Sequence, residues 1–245
     1  MARRRHLSKA PIREAVLDVR VETEEPADPT RLRGALESLD GFPEIHELEA
    51  DSLSLHFPGE LQQESPTVAG SVIGVRGITK ERDWTIDFGR HGVTFRRSSP
   101  YPSWREYSAR ARPLVERFLD VAKPQQVVRL ALRYINHFQL PDGDPNDYFV
   151  ALPAFPNSLG LPVDRMLSSI TAHEPESGLS AHVTHVLMDD LAPERIGFLL
   201  DIDVFSDNRF APRTDQFWGT FEDLRQFKNR LFFELITERN ARFHE

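Results

Sequence analysis

Residues 129–138 read Arg129-Leu-Ala-Leu-Arg-Tyr-Ile-Asn-His-Phe138, and the alternation along this run decides the fold. Successive side chains of a strand point to opposite faces. Leu130, Leu132, Tyr134, Asn136 and Phe138 therefore share one face, and Arg129, Ala131, Arg133, Ile135 and His137 share the other. Residues 196–205 behave alike. Ile196, Phe198, Leu200, Ile202 and Val204 form a wholly apolar face opposite Gly197, Leu199, Asp201, Asp203 and Phe205. Such strands belong to an antiparallel sheet with one face on a core and the other open.

The same run has an earlier counterpart. Residues 13–41 can be laid on 129–157, setting Arg13 on Arg129, Ala15 on Ala131, Val19 on Ile135, Asp28-Pro29 on Asp144-Pro145 and Ala35-Leu36 on Ala151-Leu152. Further on, Ile86-Asp87-Phe88 meets Leu200-Asp201-Ile202, Trp104 meets Trp218, Tyr107 meets Phe221 and Phe118 meets Phe232. A nearly constant offset over such a span points to an internal duplication, with halves at 1–124 and 125–245 packed as one unit.

Each half opens with a strand, at 14–21 or 130–138. A helix opened by Asp-Pro follows. Asp28 is suited to cap it, Pro29 to begin it and Gly41 to close it. Leu32, Ala35, Leu36 and Leu39 supply its apolar stripe. In the second copy Pro153 cuts the helix short. Strands are expected at 53–57, 71–78, 83–88 and 92–97, then at 166–171, 182–188 and 196–205. A long amphipathic helix closes each half. The first starts at a Ser103/Glu106 capping box and packs with Trp104, Tyr107, Ala111, Leu114, Val115 and Phe118. The second runs to about Asn240 and packs with Phe217, Phe221, Leu224, Leu231, Phe232 and Leu235. The fold class is thus α+β: two β-α-β-β-β-α pseudo-repeats sharing an antiparallel sheet, with the long helices on one face. This is the element order of TATA-binding-protein-like and helix-grip folds. Polar loops at 58–70, 173–180 and 206–213 are candidate ligand lids.

The 245 residues carry 38 acidic and 30 basic side chains, a formal net charge of −8, with no cysteine. The acidic balance opposes general nucleic-acid or anionic-membrane binding. Lack of thiols removes disulfides, Cys-zinc sites and thiol nucleophiles. No run approaches the roughly 18 apolar residues of a membrane span. A soluble, cytoplasmic protein is expected. Its basic start, Met1-Ala-Arg-Arg-Arg-His6, is either a disordered tail or a docking segment.

Four short stretches together resemble a family of sporadically distributed, uncharacterised bacterial and archaeal proteins of about 250 residues. They are Leu7-Ser-Lys-Ala-Pro-Ile-Arg-Glu-Ala-Val16, Arg133-Tyr-Ile-Asn136, Asp201-Ile-Asp203 and Phe232-Phe-Glu-Leu-Ile-Thr237. The resemblance implies a prokaryotic cytoplasmic protein of patchy distribution, as accessory, defence or toxin–antitoxin genes show. It carries over no catalytic residue.

Candidate ligand-binding residues are Arg133, His137, Asp201 and Asp203 on the open face, and Asn136 on the apolar one. Against a ligand stands an internal network in which Arg133 pairs with Asp201 or Asp203. Asn136, among apolar neighbours, must hydrogen-bond, most simply to backbone. Asp201 and Asp203, with Asp189, Asp190 or His185, have donors suited to Mg²⁺ or Mn²⁺, but their spacing is ordinary on exposed strands and no metal is assigned. His182 and His185 point to opposite faces. Asp142-Gly-Asp144-Pro-Asn146 begins like a calcium loop and fails at Asp147 and Pro153. The closing-helix aromatics belong to core rather than to a cofactor box. Arg96-Arg97 with Arg105, Arg110 and Arg112 are a candidate local positive patch, set against a solvated helix face. No Walker, G-x-G-x-x-G, G-x-S-x-G or H-E-x-x-H motif occurs, and no cofactor is called for. The expectation is a non-enzymatic accessory protein acting on a protein partner, antitoxin- or immunity-like. The alternatives are a small-molecule binder or enzyme with a cavity between sheet and helices, and, disfavoured by charge, a nucleic-acid module.

Overall fold

Nine strands form one antiparallel sheet in the computed structural model, which describes residues 1–50, 70–141, 143–153, 163–188 and 195–245. They are β1 (Ile12–Glu22), β2 (Glu44–Glu49), β3 (Val72–Ile78), β4 (Trp84–Gly89), β5 (Gly92–Ser98), β6 (Gln126–Pro141), β7 (Met166–Glu174), β8 (Leu179–Met188) and β9 (Arg195–Ser206). The helices are α1 (Pro29–Glu37), α2 (Trp104–Ala122), α3 (Asp215–Leu235) and α4 (Glu238–Arg242). The strand order is β2-β3-β4-β5-β1-β6-β9-β8-β7. The strands that open the two halves, β1 and β6, pair with each other at the centre.

One register row fixes which face the helices cover. Gly77, Ile86, Phe95, Leu17, Leu132, Val204 and Ala181 lie side by side across seven strands. Leu36 of α1 lies over Gly77, where a Cβ would come within 3.0 Å of it. The hydroxyl of Tyr107, on α2, donates to the Phe95 carbonyl at 2.8 Å. Phe118 of α2 meets Phe88 at 5.6 Å between ring centroids, and Phe232 of α3 meets Phe138 at 6.4 Å. All three helices therefore cover one face. Each large apolar side chain buried there contributes about 1.5–3 kcal/mol. Between α2 and α3 the tryptophans reach across in both directions. Trp104 Nε1 donates to Glu222 at 3.0 Å, and Trp218 Nε1 donates to Glu116 at 3.1 Å.

Several expectations change. α1 ends at Glu37, because the Ser38 hydroxyl takes the Ala35 carbonyl at 2.7 Å, and Gly41 instead supplies a left-handed turn beyond it. β2 is a strand that hydropathy did not disclose, because three of its six residues are glutamates. Asp144 caps a single 3-10 turn, Pro145–Asp147, rather than a helix. The chain then turns inward, burying Tyr148 and Phe149. The expected loop at 173–180 is largely strand, with only the turn at 175–178 outside β7 and β8. The closing helix does not reach Asn240 unbroken. Ile236 is extended and bridges to Phe149, and Thr237 caps α4. The basic start is not a free tail: the Ala2 amide donates to the Phe233 carbonyl at 3.0 Å and Arg5 Nε to Glu245 at 2.8 Å. The expected strand at 53–57, most of the 58–70 loop, Asp142, Asp189 and Asp190 lie outside the described residues.

The residue matches behind the duplication behave unevenly. Asp28 and Asp144 each cap the turn after a central strand. The offset of the first strand, however, sets helix-facing Ala15 on Ala131, which faces away from the helices. Ile86 lies on β4, two strands from β1, whereas Leu200 lies on β9, next to β6. Trp104 opens α2, whereas Trp218 is the fourth residue of α3.

Candidate functional site: the uncovered sheet face

The second face carries the charge. Alternation puts Asp18 and Arg20 of β1, Arg76 of β3, Asp87 of β4, Thr94 and Arg96 of β5, Arg129 and Arg133 of β6, and Asp201 and Asp203 of β9 on this side. Among the described residues no helix packs against it, yet Asp18, Asp87, Asp201 and Asp203 are buried. The long arginine side chains lie over them.

Two ion-pair chains run across the strands. In the first, Arg76 grips Asp87 through Nε at 2.7 Å and Nη2 at 2.8 Å. Arg96 also donates to Asp87 and lies 3.8 Å from Glu14. In the second, the Thr94 hydroxyl donates to Asp18 at 2.6 Å, and Arg20 to the other Asp18 oxygen at 2.9 Å. Arg129 stands 4.0 Å from Asp18, donates to Asp203 at 3.1 Å and stands 3.6 Å from Asp207. Arg133 closes the row, its Nε 2.9 and 3.0 Å from the two Asp201 oxygens. Arg129 also stacks over Phe205 at 4.5 Å, with His182 on the same ring.

Two of the carboxylates respond oppositely to this setting. Burial works against ionising Asp87, but Arg76 and Arg96 together outweigh it and hold the carboxyl below the usual range. At Asp203 burial wins over Arg129 and Arg133, and the carboxyl is raised. Two guanidiniums suffice when both grip one carboxylate closely, and fall short when they are shared with Asp18 and Asp201.

The five candidate residues separate accordingly. Arg133, Asp201 and Asp203 come together, with the Arg133–Asp201 pairing formed inside the sheet. His137 shares their face further along β6, opposite Leu199. Asn136 is on the helix-covered face, fully buried, donating to the carbonyls of Tyr134 at 3.1 Å and Leu200 at 3.0 Å. His185 likewise faces the helices, so it cannot join Asp201 and Asp203 around a cation. Burial takes it down to about 4, and its ring nitrogens are buried without hydrogen bonds. Among the described residues no group of three metal-ligating side chains forms. The expected basic patch is split, with Arg97 and Arg110 together and Arg96 and Arg112 apart from them. Arg97 and Arg110 stack on Trp84 at 4.6 and 4.7 Å, Arg112 stacks on Trp218 at 4.5 Å, and Arg96 faces the other way.

The reading from sequence missed Asp18, Thr94 and Arg129 as members of the network. Asp18 and Arg20 at i, i+2 in β1, matched by Arg129 and Arg133 on one face of β6, were the available signal. It also missed Lys228 of α3. This lysine is buried against the Tyr134 ring, 3.8 Å from its centroid, beside the Tyr134–Tyr101 hydroxyl pair at 2.9 Å. Burial brings the Lys228 ammonium down to about 7 and pushes Tyr101 up to about 12. The sheet–helix interface around them is filled by stacked rings, including Trp84 on Phe95 at 5.1 Å. A cleft of about 470 Å³ opens elsewhere, at the ends of β7 and β8 between Met166 and Met188.

Chemically, the uncovered face offers bidentate donors and buried acceptors in alternation, at strand spacing. It is suited to exchanging ion pairs with a surface of alternating charge. No described helix is long and apolar enough to cross a membrane. No family model matches the chain, and no curated protein matches it.

Proposed function

We propose that the chain is a binding protein of a prokaryotic cytoplasmic system, antitoxin- or immunity-like, that recognises a protein partner through the uncovered sheet face. One observation carries this reading: five arginines and five carboxylates interlock across β3, β4, β5, β1, β6 and β9 on a face that no described helix covers. The charges balance locally, which suits a protein surface better than a phosphate backbone. The carboxylates are buried beneath arginines whose outer atoms stay partly open to water, so a partner's charge can exchange with a guanidinium while each carboxylate keeps a counter-ion. Pairs placed this way also discriminate partners, since a mismatched charge is strongly disfavoured.

The lack of native cysteine makes a clean test. Thr184→Cys on the uncovered face and Arg105→Cys on α2 each accept a photo-crosslinking maleimide. In the native host the first should capture one discrete protein, and Arg133→Glu should abolish the adduct. Capture through Arg105→Cys alone, or capture indifferent to Arg133→Glu, would refute the assignment.

We further propose that the two halves descend from one ancestral β-α-β-β-β-α unit, giving a layout of the TATA-binding-protein-like kind. Support comes from element order: β5-β1 and β9-β6 flank the midline alike, and each half ends in a long helix. The individual residue matches are weaker support, since the offset of the first strand exchanges faces.

A further inference from the structure

The helical layer stops short of one sheet edge. α3 packs on β9 and β6, the helix-facing residues of β8 are buried beside it, and Arg230 of α3 reaches the end of β7 at Glu174, but the rest of β7 lies beyond the layer. Among the described residues β7 is outermost and thinly covered along its length, with Leu167 58% and Ile170 53% exposed. The opposite edge among the described residues is β2, only six residues long and bearing Glu44, Glu47 and Glu49. Short length and charge are how proteins keep edges from pairing. β7 has neither guard. From Met166 to His173 it has no Asp, Glu, Lys, Arg or Pro. Its polar side chains on the uncovered face turn back onto β8: Thr171 with His182 at 2.8 Å, His173 with Ser180 at 3.1 Å, Ser169 with Thr184 at 3.3 Å. Among the described residues nothing pairs with the outer backbone edge of β7, and Leu167 and Ile170 stand exposed on it.

We propose that two copies of this chain pair antiparallel through β7, about a twofold axis perpendicular to the sheet, so that the sheet runs on across the interface. Such an axis keeps every side chain on its own face, so a residue can only meet one an even number of positions away. Centred on Ile170, the register sets Ile170 against the partner's Ile170. Ser168 meets the partner's Ala172 on either side, and these small residues leave the isoleucines room to pack. Centred instead on Ser169, it would set Ile170 against the partner's Ser168 and lose the contact between the two isoleucines. On a chain of net charge −8, this neutral strip is where two copies meet without repulsion, and the glutamates of β2 stop further addition. The contact is isologous and closes at two copies. It rests on the edge strand alone and is independent of the uncovered face.

The absence of cysteine again provides the test. Sedimentation equilibrium of the purified full chain should show mass rising from 28.1 kDa toward twice that over the micromolar range. Ile170→Lys should weaken dimerisation at least tenfold while leaving the circular dichroism and melt unchanged. Ile170→Cys should give a disulfide-linked dimer on mild oxidation, because paired Cα atoms lie about 4.5–5.5 Å apart. Thr171→Cys, opposite the partner's Ser169, should not. A wild-type chain that stays monomeric to about 100 µM overturns the proposal. So does a dimer indifferent to Ile170→Lys, or equal cross-linking at positions 170 and 171. A strand-like peptide partner that binds β7 while the chain alone stays monomeric would equally overturn it.

Discussion

Only four lysines stand among 26 arginines, and one of the four is the buried Lys228. A guanidinium cannot shed its proton, whereas a buried amine can. The sign follows from the two states. Lys228 sits at about 7 when folded, below its ordinary 10.5. As pH falls from 10.5 the unfolded chain takes up a proton that the folded chain refuses, so this group's penalty grows down to about 7 and is complete below it. Lys228→Met should therefore raise stability near pH 7 by on the order of 1–2 kcal/mol, after loss of the Tyr134 contact. It should also flatten the rise in stability between pH 7 and 9, read from denaturant melts at each pH. A variant no more stable than wild type at pH 7 would exclude the mechanism. The sheet carboxylates give a paired expectation. Asp87→Asn strands two arginines and should cost about 2 kcal/mol at pH 7. Asp203→Asn removes a charge that burial already disfavours and should be near neutral. Melting the two side by side distinguishes them, and equal losses would contradict the opposite pKa directions. Asp201 and Asp203 were legible because they alternate in an otherwise apolar strand. Asp18 was not, because an acid in a strand that also carries Glu14 and Glu22 reads as solvated until Thr94 and Arg20 are seen around it.

At the scale of elements, the strands with clean alternation and the capped helices were readable, and the failures have local causes. β2 is half glutamate, so hydropathy hid an edge strand whose job requires charge. The break between α3 and α4 was invisible because apolar residues continue through it: Leu231, Phe232, Leu235, Ile236. Only the bridge from Ile236 to Phe149, a contact distant in sequence, forces the extended residue there. Glycine spacing within strands gives a sharper prediction. A Cβ at Gly74 in β3 would stand 2.5 Å from the Phe88 carbonyl oxygen and 2.9 Å from Gly89 Cα. Both are backbone atoms of the neighbouring strand, so nothing flexible can yield. Gly74→Ala should push β3 from β4 and cost about 2–3 kcal/mol. Gly34→Ala, with open space around it, should gain up to about 1 kcal/mol through helix propensity. Chemical denaturation of the pair checks the contrast, and a neutral Gly74→Ala would show that the two strands are not held so close.

For the whole molecule, the question is whether the halves at 1–124 and 125–245 behave as one unit. Their seam is the β1–β6 pairing, ten register pairs long, with Leu17 on Leu132 at its centre. Above the seam the helices cross-link through Trp104–Glu222 and Trp218–Glu116. Beneath it Arg129 links Asp18 of the first half to Asp203 of the second. Three layers of contact thus span the boundary, and one continuous apolar cluster runs from Val75 to Phe233. Opening either half would expose the central strand of the other along its full length, at about 25 cal/mol per Å² of apolar surface. That is too costly for an intermediate to accumulate. Unfolding should be a single cooperative transition. The tryptophans report it separately, with Trp84 in the first half and Trp218 in the second. Variants retaining only one of the two, the others replaced by Phe, should melt in guanidinium at the same midpoint and with the same slope. A Trp218 signal lost at lower denaturant than Trp84 would mean that the seam is weaker than its register implies, and that the halves are separate folding units in contact.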